Sequence, residues 1–381
     1  MLMAKEDRCK LCGLSRSLNR KLVWASNGGV YFRSRRSERL IFLAEEDISA
    51  IMREGARLRG EKVLDTLCEV RRTFTRGRMA SQMRGMRRLF LRHRPLVKRI
   101  IRATFREAAY YGCGNVTISR LKPGKEIAVT ARRPYHPQLL AGDIWGFWEG
   151  FFDVEALLSL EHVSEMEWAM TVKTVSKKKR RAEGEPPPRR PERDYDLDVC
   201  EKCRLPVFPY KLRWDPELGT IYHPDTHRHL VITSVEGWER VLSEINGSRS
   251  VELPAPMCEA ISASTASEFA SLNGNNYKTT YRNFFMGLPF LGWGKPRKVI
   301  RKPFIMEAQI ESVPFPWLLA CKIAGVFQAL EKESADIDCL QEDDGACKYL
   351  IGPRLEGNFL PVTSLFSDAC PPSHPGIFLP F

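Results

Sequence analysis

A shift of 190 residues lays KLVWASNGGVYFRSRRSERLIFLAEEDISAIMRE on KLRWDPELGTIYHPDTHRHLVITSVEGWERVLSE without a gap. Lys21, Leu22, Trp24, Gly29, Leu40, Glu46 and Glu54 meet Lys211, Leu212, Trp214, Gly219, Leu230, Glu236 and Glu244. The same shift carries Cys68-Glu69 onto Cys258-Glu259, and a shift of 179 carries PQLLAGDIWGFW (137–148) onto PWLLACKIAGVF (316–327). Chance supplies one such block more readily than three in the same order. The chain therefore reads as a tandem duplication of a unit of roughly 170 residues, the size of one compact domain or two small ones.

Between the copies, SKKKRRAEGEPPPRRPERDYD is charged, proline-rich and nearly without apolar residues. Such a stretch cannot bury enough surface to fold, so it reads as a linker. The expected boundaries are 1–60 and 198–250 for two cysteine modules and 61–175 and 251–355 for two larger domains. The linker spans 176–197 and an extended, proline-rich tail 356–381.

Each copy opens on a CxxC pair, Cys9/Cys12 and Cys200/Cys203. Two short strand-like runs follow, around the turns ASNG and DPEL, then a third apolar run and an amphipathic helix. The larger part reads as helices, hairpin, helix, hairpin. In the first copy, Leu96, Val97, Ile100, Ile101, Phe105 and Ala108 fall on one helical face. The fold class expected is α+β with antiparallel sheets, in two duplicated units.

The segment PWLLACKIAGVFQALEKESADIDCLQEDDGACKYLIG resembles the 4-vinyl reductase domain. That family includes sensor domains of phenol-responsive activators, and its fold is shared by small subunits of the TRAPP complex. Gly142-x3-Gly146 matches its glycine pair, with Cys321 and Gly325 in the second copy. Cys339-x7-Cys347 matches its cysteine pair. The resemblance implies an α/β fold around an apolar pocket, with Trp145, Trp148, Phe151, Trp317 and Phe327 as expected lining. It also implies a zinc site on Cys339, Cys347 and an acidic residue three positions earlier, here Asp336. Pro316 stands where the family has a further cysteine, and the first copy has Leu160 and Trp168 in place of the pair.

An internal CxxC supplies two ligands, whereas structural zinc takes four. Cys9, Cys12, Cys200 and Cys203 can share one site between copies. Alternatively each copy closes its own site with Cys68 or Cys258, or the thiols carry no metal. Cys68 and Cys258 read equally as ligands or as buried thiols. His223, His227 and His229 have no counterparts in the first copy, where Arg33, Ser37 and Arg39 stand. Zinc is the expected cofactor, in a structural rather than a redox role, because strands and not a helix follow the CxxC.

The chain has eleven cysteines and a net charge of +13. It starts without a signal peptide, which with thiols of this kind suggests a reducing, cytoplasmic setting in a bacterium. No apolar run is long enough to span a membrane. From Arg71 to Arg106 there are 13 basic residues and no acid. Arg84, Arg87, Arg88, Arg92 and Arg94 make this a candidate surface for nucleic acid or an acidic protein. The function expected first is binding or sensing of a hydrophobic or aromatic small molecule, relayed to a partner, with the duplication as a built-in pseudo-dimer. A reductase acting on a vinyl or aromatic substrate is an alternative, although no dinucleotide or P-loop motif occurs. A zinc-bearing nucleic-acid scaffold is the third reading.

Overall fold

The structure, a computed structural model, describes residues 9–11, 16–83, 94–176, 199–203, 206–207, 212–215, 217–223, 226, 228–247, 253–271, 277–302, 304–342, 344–354 and 377–378. It is a mixed α+β protein built on antiparallel sheets. In order, the elements of the first half are α1 (Arg16–Lys21), β1 (Leu22–Trp24), β2 (Val30–Phe32), β3 (Arg35–Ala44), α2 (Glu45–Arg59), α3 (Lys62–Gln82) and α4 (Arg94–Tyr110). β4 (Asn115–Lys122), β5 (Glu126–Arg132), α5 (Pro137–Phe152), β6 (Glu155–Ser164) and β7 (Glu167–Ser176) complete it. The second half holds β8 (Arg213–Asp215), β9 (Thr220–Tyr222), β10 (His229–Ser234), α6 (Val235–Asn246), α7 (Ala255–Ser271) and α8 (Tyr277–Gly287). β11 (Lys295–Lys302), β12 (Ile305–Glu311), α9 (Pro316–Glu331), β13 (Ala335–Gln341), β14 (Cys347–Pro353) and β15 (Ile377–Phe378) follow. The predicted linker lies almost wholly outside the described residues. Of the tail, Ile377 and Phe378 pair with Arg301 and Ile300 of β11.

Local chemistry sets the helix ends. α2 has Glu45, Glu46 and Asp47 in its first turn and Arg57 and Arg59 in its last, as the helix dipole favours. Gly60, at φ 84°, ends it. α6 is capped by Ser234, whose Oγ accepts from Gly237 N at 3.1 Å. α5 and α9 both begin on proline and stop on a left-handed residue, Asp153 and Lys332.

The three strands of each cysteine module join in one six-stranded sheet, β1-β2-β3-β10-β9-β8. At its middle Leu40 faces Ser234, Phe42 faces Ile232 and Ala44 faces Leu230. Phe42 and Ile232 are partners under the 190-residue shift, so this ladder is unchanged when its two strands are exchanged. The two larger sheets share one strand order. β4-β5-β7-β6 corresponds to β11-β12-β14-β13, with β15 added at the β11 edge.

Each module is seated on the larger part of the opposite half. Trp24 Nε1 donates to Phe290 O at 3.0 Å, and Trp214 Nε1 to Tyr110 O at 3.1 Å. Phe42 N donates to Leu291 O, and Ile232 N to Tyr111 O. α2 packs on α7 and α6 on α3. The strands and helix of each module thus contact the larger part that lies in the other half of the sequence. One main core accordingly contains residues of both halves, and a smaller one gathers Cys9, Leu22 and Trp24 with Cys200, Trp214 and Ile221.

The glycines of α5 set its distance from α3. A Cβ at Gly142 would fall 2.3 Å from Cys68 O, and one at Gly146 would fall 2.2 Å from Arg72 O. α9 meets α7 in the same way at Gly325, 2.5 Å from Ser262 O. The Gly-x3-Gly spacing thus serves close backbone contact between helices.

Candidate functional site

Cys9 of the first CxxC meets both cysteines of the second. Cys9, Cys200 and Cys203 are buried, and their ligand atoms all lie within 4.8 Å of one another. Cys9 and Cys200 place their Sγ atoms 3.7 Å apart. Two thiolates bound to one tetrahedral zinc at the usual bond length stand about 3.8 Å apart, whereas a disulfide brings sulfurs to about 2 Å. The three thiols form a group able to hold a metal ion. Cys12 lies outside the described residues. A bridge between Val199 and Pro206 closes the second knuckle around its cysteines.

The histidines and the remaining cysteines sit elsewhere. His223 Nδ1 accepts from Thr226 N at 3.3 Å, and His229 stacks on Tyr222; His227 is outside the described residues. Cys68 is buried on α3 opposite Gly142, and burial pushes its thiol up to about 12. Cys258 lies beside Cys321 of α9, the residue that the 179-residue shift sets at Gly142. Cys339 and Cys347 hydrogen-bond to each other across β13 and β14, next to Tyr349. Asp336 is not part of that group. It precedes Cys339 by three residues on a regular strand, so it projects from the opposite face. It pairs instead with Arg354 at 3.0 Å.

A cavity of about 330 Å³ lies between the helices of the first half and the module sheet. Phe105, Leu140, Ile144 and Phe147 form its helical wall, and Val231 and Ile232 of β10 its floor. One end is polar. Arg71 is buried and holds Asp143 by two bonds, Nε to Oδ1 at 3.1 Å and Nη2 to Oδ2 at 2.9 Å. Thr75 Oγ1 and Tyr135 Oη donate to the same carboxylate at 2.7 and 2.9 Å. Burial opposes the charge on Arg71, but Asp143 outweighs it and keeps the guanidinium above its ordinary value. Burial, then Asp143, pushes the Cys113 thiol up to about 12, so it lines the cavity as a neutral group.

None of the expected pocket residues lines this cavity. α5 turns Ile144 and Phe147 to the space, while Trp148 and Phe151 are buried in the core. Trp145 donates from Nε1 to Ala156 O and is covered by Arg72, 3.8 Å from its ring centroid. Trp317 packs against the core and Phe327 is within it.

The corresponding space in the second half is only about 80 Å³. The structure aligns Gly112-Cys113-Gly114 with Gly292-Trp293-Gly294, a shift of 180, through their matching contacts with the module strands. Gly112 and Gly292 sit against Leu230 O and Leu40 O at positive φ, where no Cβ fits. Between them, Cys113 is replaced by Trp293, 1% exposed, with Nε1 donating to Phe42 O at 3.1 Å. Thr104 and Met79 correspond to Phe284 and Phe269, which meet edge to face at 5.7 Å. This GxG repeat was legible in the sequence but lies in a block whose offset differs from both shifts found there.

The buried charge has also reversed sign between halves. Asp143 corresponds to Lys322, which pairs with Asp47, the counterpart of Gly237. Arg71 Nη1 packs against Gly237 without an acceptor. Glu38 pairs with Arg78, and its counterpart Arg228 pairs with Glu268, the counterpart of Arg78. Thr265 Oγ1 is left without a partner because a lysine stands where Asp143 serves Thr75.

Of the basic segment, Arg84, Arg87, Arg88 and Arg92 lie outside the described residues, and Arg94 begins α4. The arginines of α3 are engaged. Arg72 bonds Glu149 and Glu69, Arg76 reaches Glu149, and Glu149 is fully buried. No helix among the described residues is long and apolar enough to cross a membrane. Comparison of the chain with family models, curated proteins and solved structures gives no match.

Proposed function

We propose that this chain binds one apolar small molecule in the cavity of its first half and relays that state to a partner, with a structural zinc holding its modules together. The carrying observation is the 330 Å³ cavity, walled by apolar side chains with a few convergent polar groups at one end. The 3.7 Å separation of Cys9 and Cys200 supports zinc at the cysteine cluster, with Cys12 of the same CxxC as the fourth ligand. The symmetric β3–β10 ladder, the shared strand order and the reversed charge pairs support a tandem duplication that works as an intramolecular pseudo-dimer. The order helices, hairpin, helix, hairpin supports kinship with the 4-vinyl reductase domain. Sensing is favoured over catalysis because the carboxylate at the polar end of the cavity is already engaged: Asp143 accepts four hydrogen bonds from Arg71, Thr75 and Tyr135.

Native mass spectrometry of the purified chain tests both parts. One zinc per chain and a retained apolar molecule are expected. Cys200→Ser and Cys203→Ser should abolish zinc retention. A chain that carries neither metal nor ligand, and binds no apolar probe, would sink the proposal.

A further inference from the structure

Among the described residues, charge around the cavity does not balance, and the excess sits at one edge. Glu107 accepts from Tyr111 Oη at 2.7 Å and pairs with Lys21. Asp143 is matched by Arg71. Among the described residues, Glu38 pairs with two guanidinium groups, Arg35 at 2.9 Å and Arg78 at 2.7 Å, and Glu107 adds a weaker attraction on Arg35. Both also lie against the ring of Phe32, at 5.0 and 5.4 Å from its centroid. Arg35, Phe32 and Arg78 all line the cavity. Burial, with Arg78 adding to it against Glu38, holds the Arg35 guanidinium below its ordinary value. Two like charges that converge on one carboxylate at the edge of an apolar space are short of a counter-ion.

We infer that the occupant is an anionic amphiphile, an apolar body ended by a carboxylate or phosphate that Arg35 and Arg78 receive at the cavity edge. This rests on the reading of the cavity as a ligand site. Guanidinium is suited to the task, because its planar fork of N–H donors matches the oxygens of either head group. The Phe32 ring lies against both guanidinium groups and favours their positive charge at this edge. The apolar body would lie along Phe105, Ile144 and Phe147. The second half makes the same point in reverse: the 190-residue shift sets Asp225 and Glu268 at the positions of Arg35 and Arg78. The half with the smaller space, about 80 Å³, is the half whose sequence lacks the arginine pair.

Calorimetric titration of the full-length chain with decanoate, decyl phosphate, decanol and decylamine tests this. At least one anion should bind tenfold or more tighter than decanol, with decylamine weakest, and the two anions separate carboxylate from phosphate recognition. The preference should fall as salt rises, since the arginines are partly exposed. Arg35→Gln and Arg78→Gln should each remove most of that preference, lowering affinity for the anions far more than for decanol. Decanol binding as tightly as both anions to the unaltered chain would overturn the head-group inference while the cavity reading stands. No binding by any of the four would overturn both.

Discussion

Trp293 is the residue whose removal should tell most about why the two halves differ in open space. It is 1% exposed, donates to Phe42 O, packs edge to face with Phe315 at 6.5 Å and lies 5.9 Å from the Lys322 amine. Truncating a buried tryptophan costs about 3–5 kcal/mol, from lost transfer energy and the space left behind. Trp293→Ala should lose stability in that range by denaturant unfolding. The neighbouring void of about 80 Å³ would merge with the vacated volume, and an apolar cavity of that kind stays dry and takes up an aromatic guest. Indole should therefore restore stability to the variant, by about 2.7 kcal/mol at a hundredfold excess over its dissociation constant. The unaltered chain is the control, so any binding in the first cavity is subtracted. A loss under about 1 kcal/mol, together with no indole effect beyond that control, would refute the view that Trp293 fills the space left open in the first half.

Gly146→Ala should loosen α5 from α3, because its Cβ would meet backbone at 2.2 Å; overpacking of this kind costs about 1–3 kcal/mol, read from urea midpoints. Asp143→Ala leaves Arg71 charged and buried without its partner, so a loss of about 3–5 kcal/mol is expected, with Asp143→Asn milder. Burial holds His136 at about 4, against an ordinary value of 6.5. The unfolded chain takes up that proton first, so stability should fall as pH drops from 6.5 towards 4, by at most about 3 kcal/mol. His136→Gln should flatten this limb of a stability–pH profile. Burial, then Glu46, raises Glu45 to about 7. Its contribution has the opposite sign: stability is highest below about 4.5 and declines as pH rises towards 7, a limb that Glu45→Gln should remove.

Much of the site is written in spacings, and those spacings mislead where they leave out topology. The CxxC pairs were readable as half-sites because each offers only two ligands. That they meet follows from a sheet ladder centred on Phe42 and Ile232. The apolar character of α5 was plain, but nearly every face of that helix is apolar. Nothing in WGFWEGFF distinguishes Phe147, at the cavity, from Trp148 and Phe151, in the core. The Asp336 expectation failed on parity, since three residues along a strand reverse the face. The arginines of α3 looked like a free basic surface because their acids, Asp143, Glu149 and Glu38, lie far away in the chain.

The sequence by itself determined the α+β class, the turns and the helix ends. These rest on local conformation and on side-chain periodicity, which the order of residues carries directly. Only the tertiary structure decided which module sits on which half, which cavity stayed open and where charge was left unpaired. Those depend on contacts between residues far apart in the chain, such as Trp24 with Phe290 and Glu38 with Arg78. A contact of that kind appears only once the chain has closed on itself.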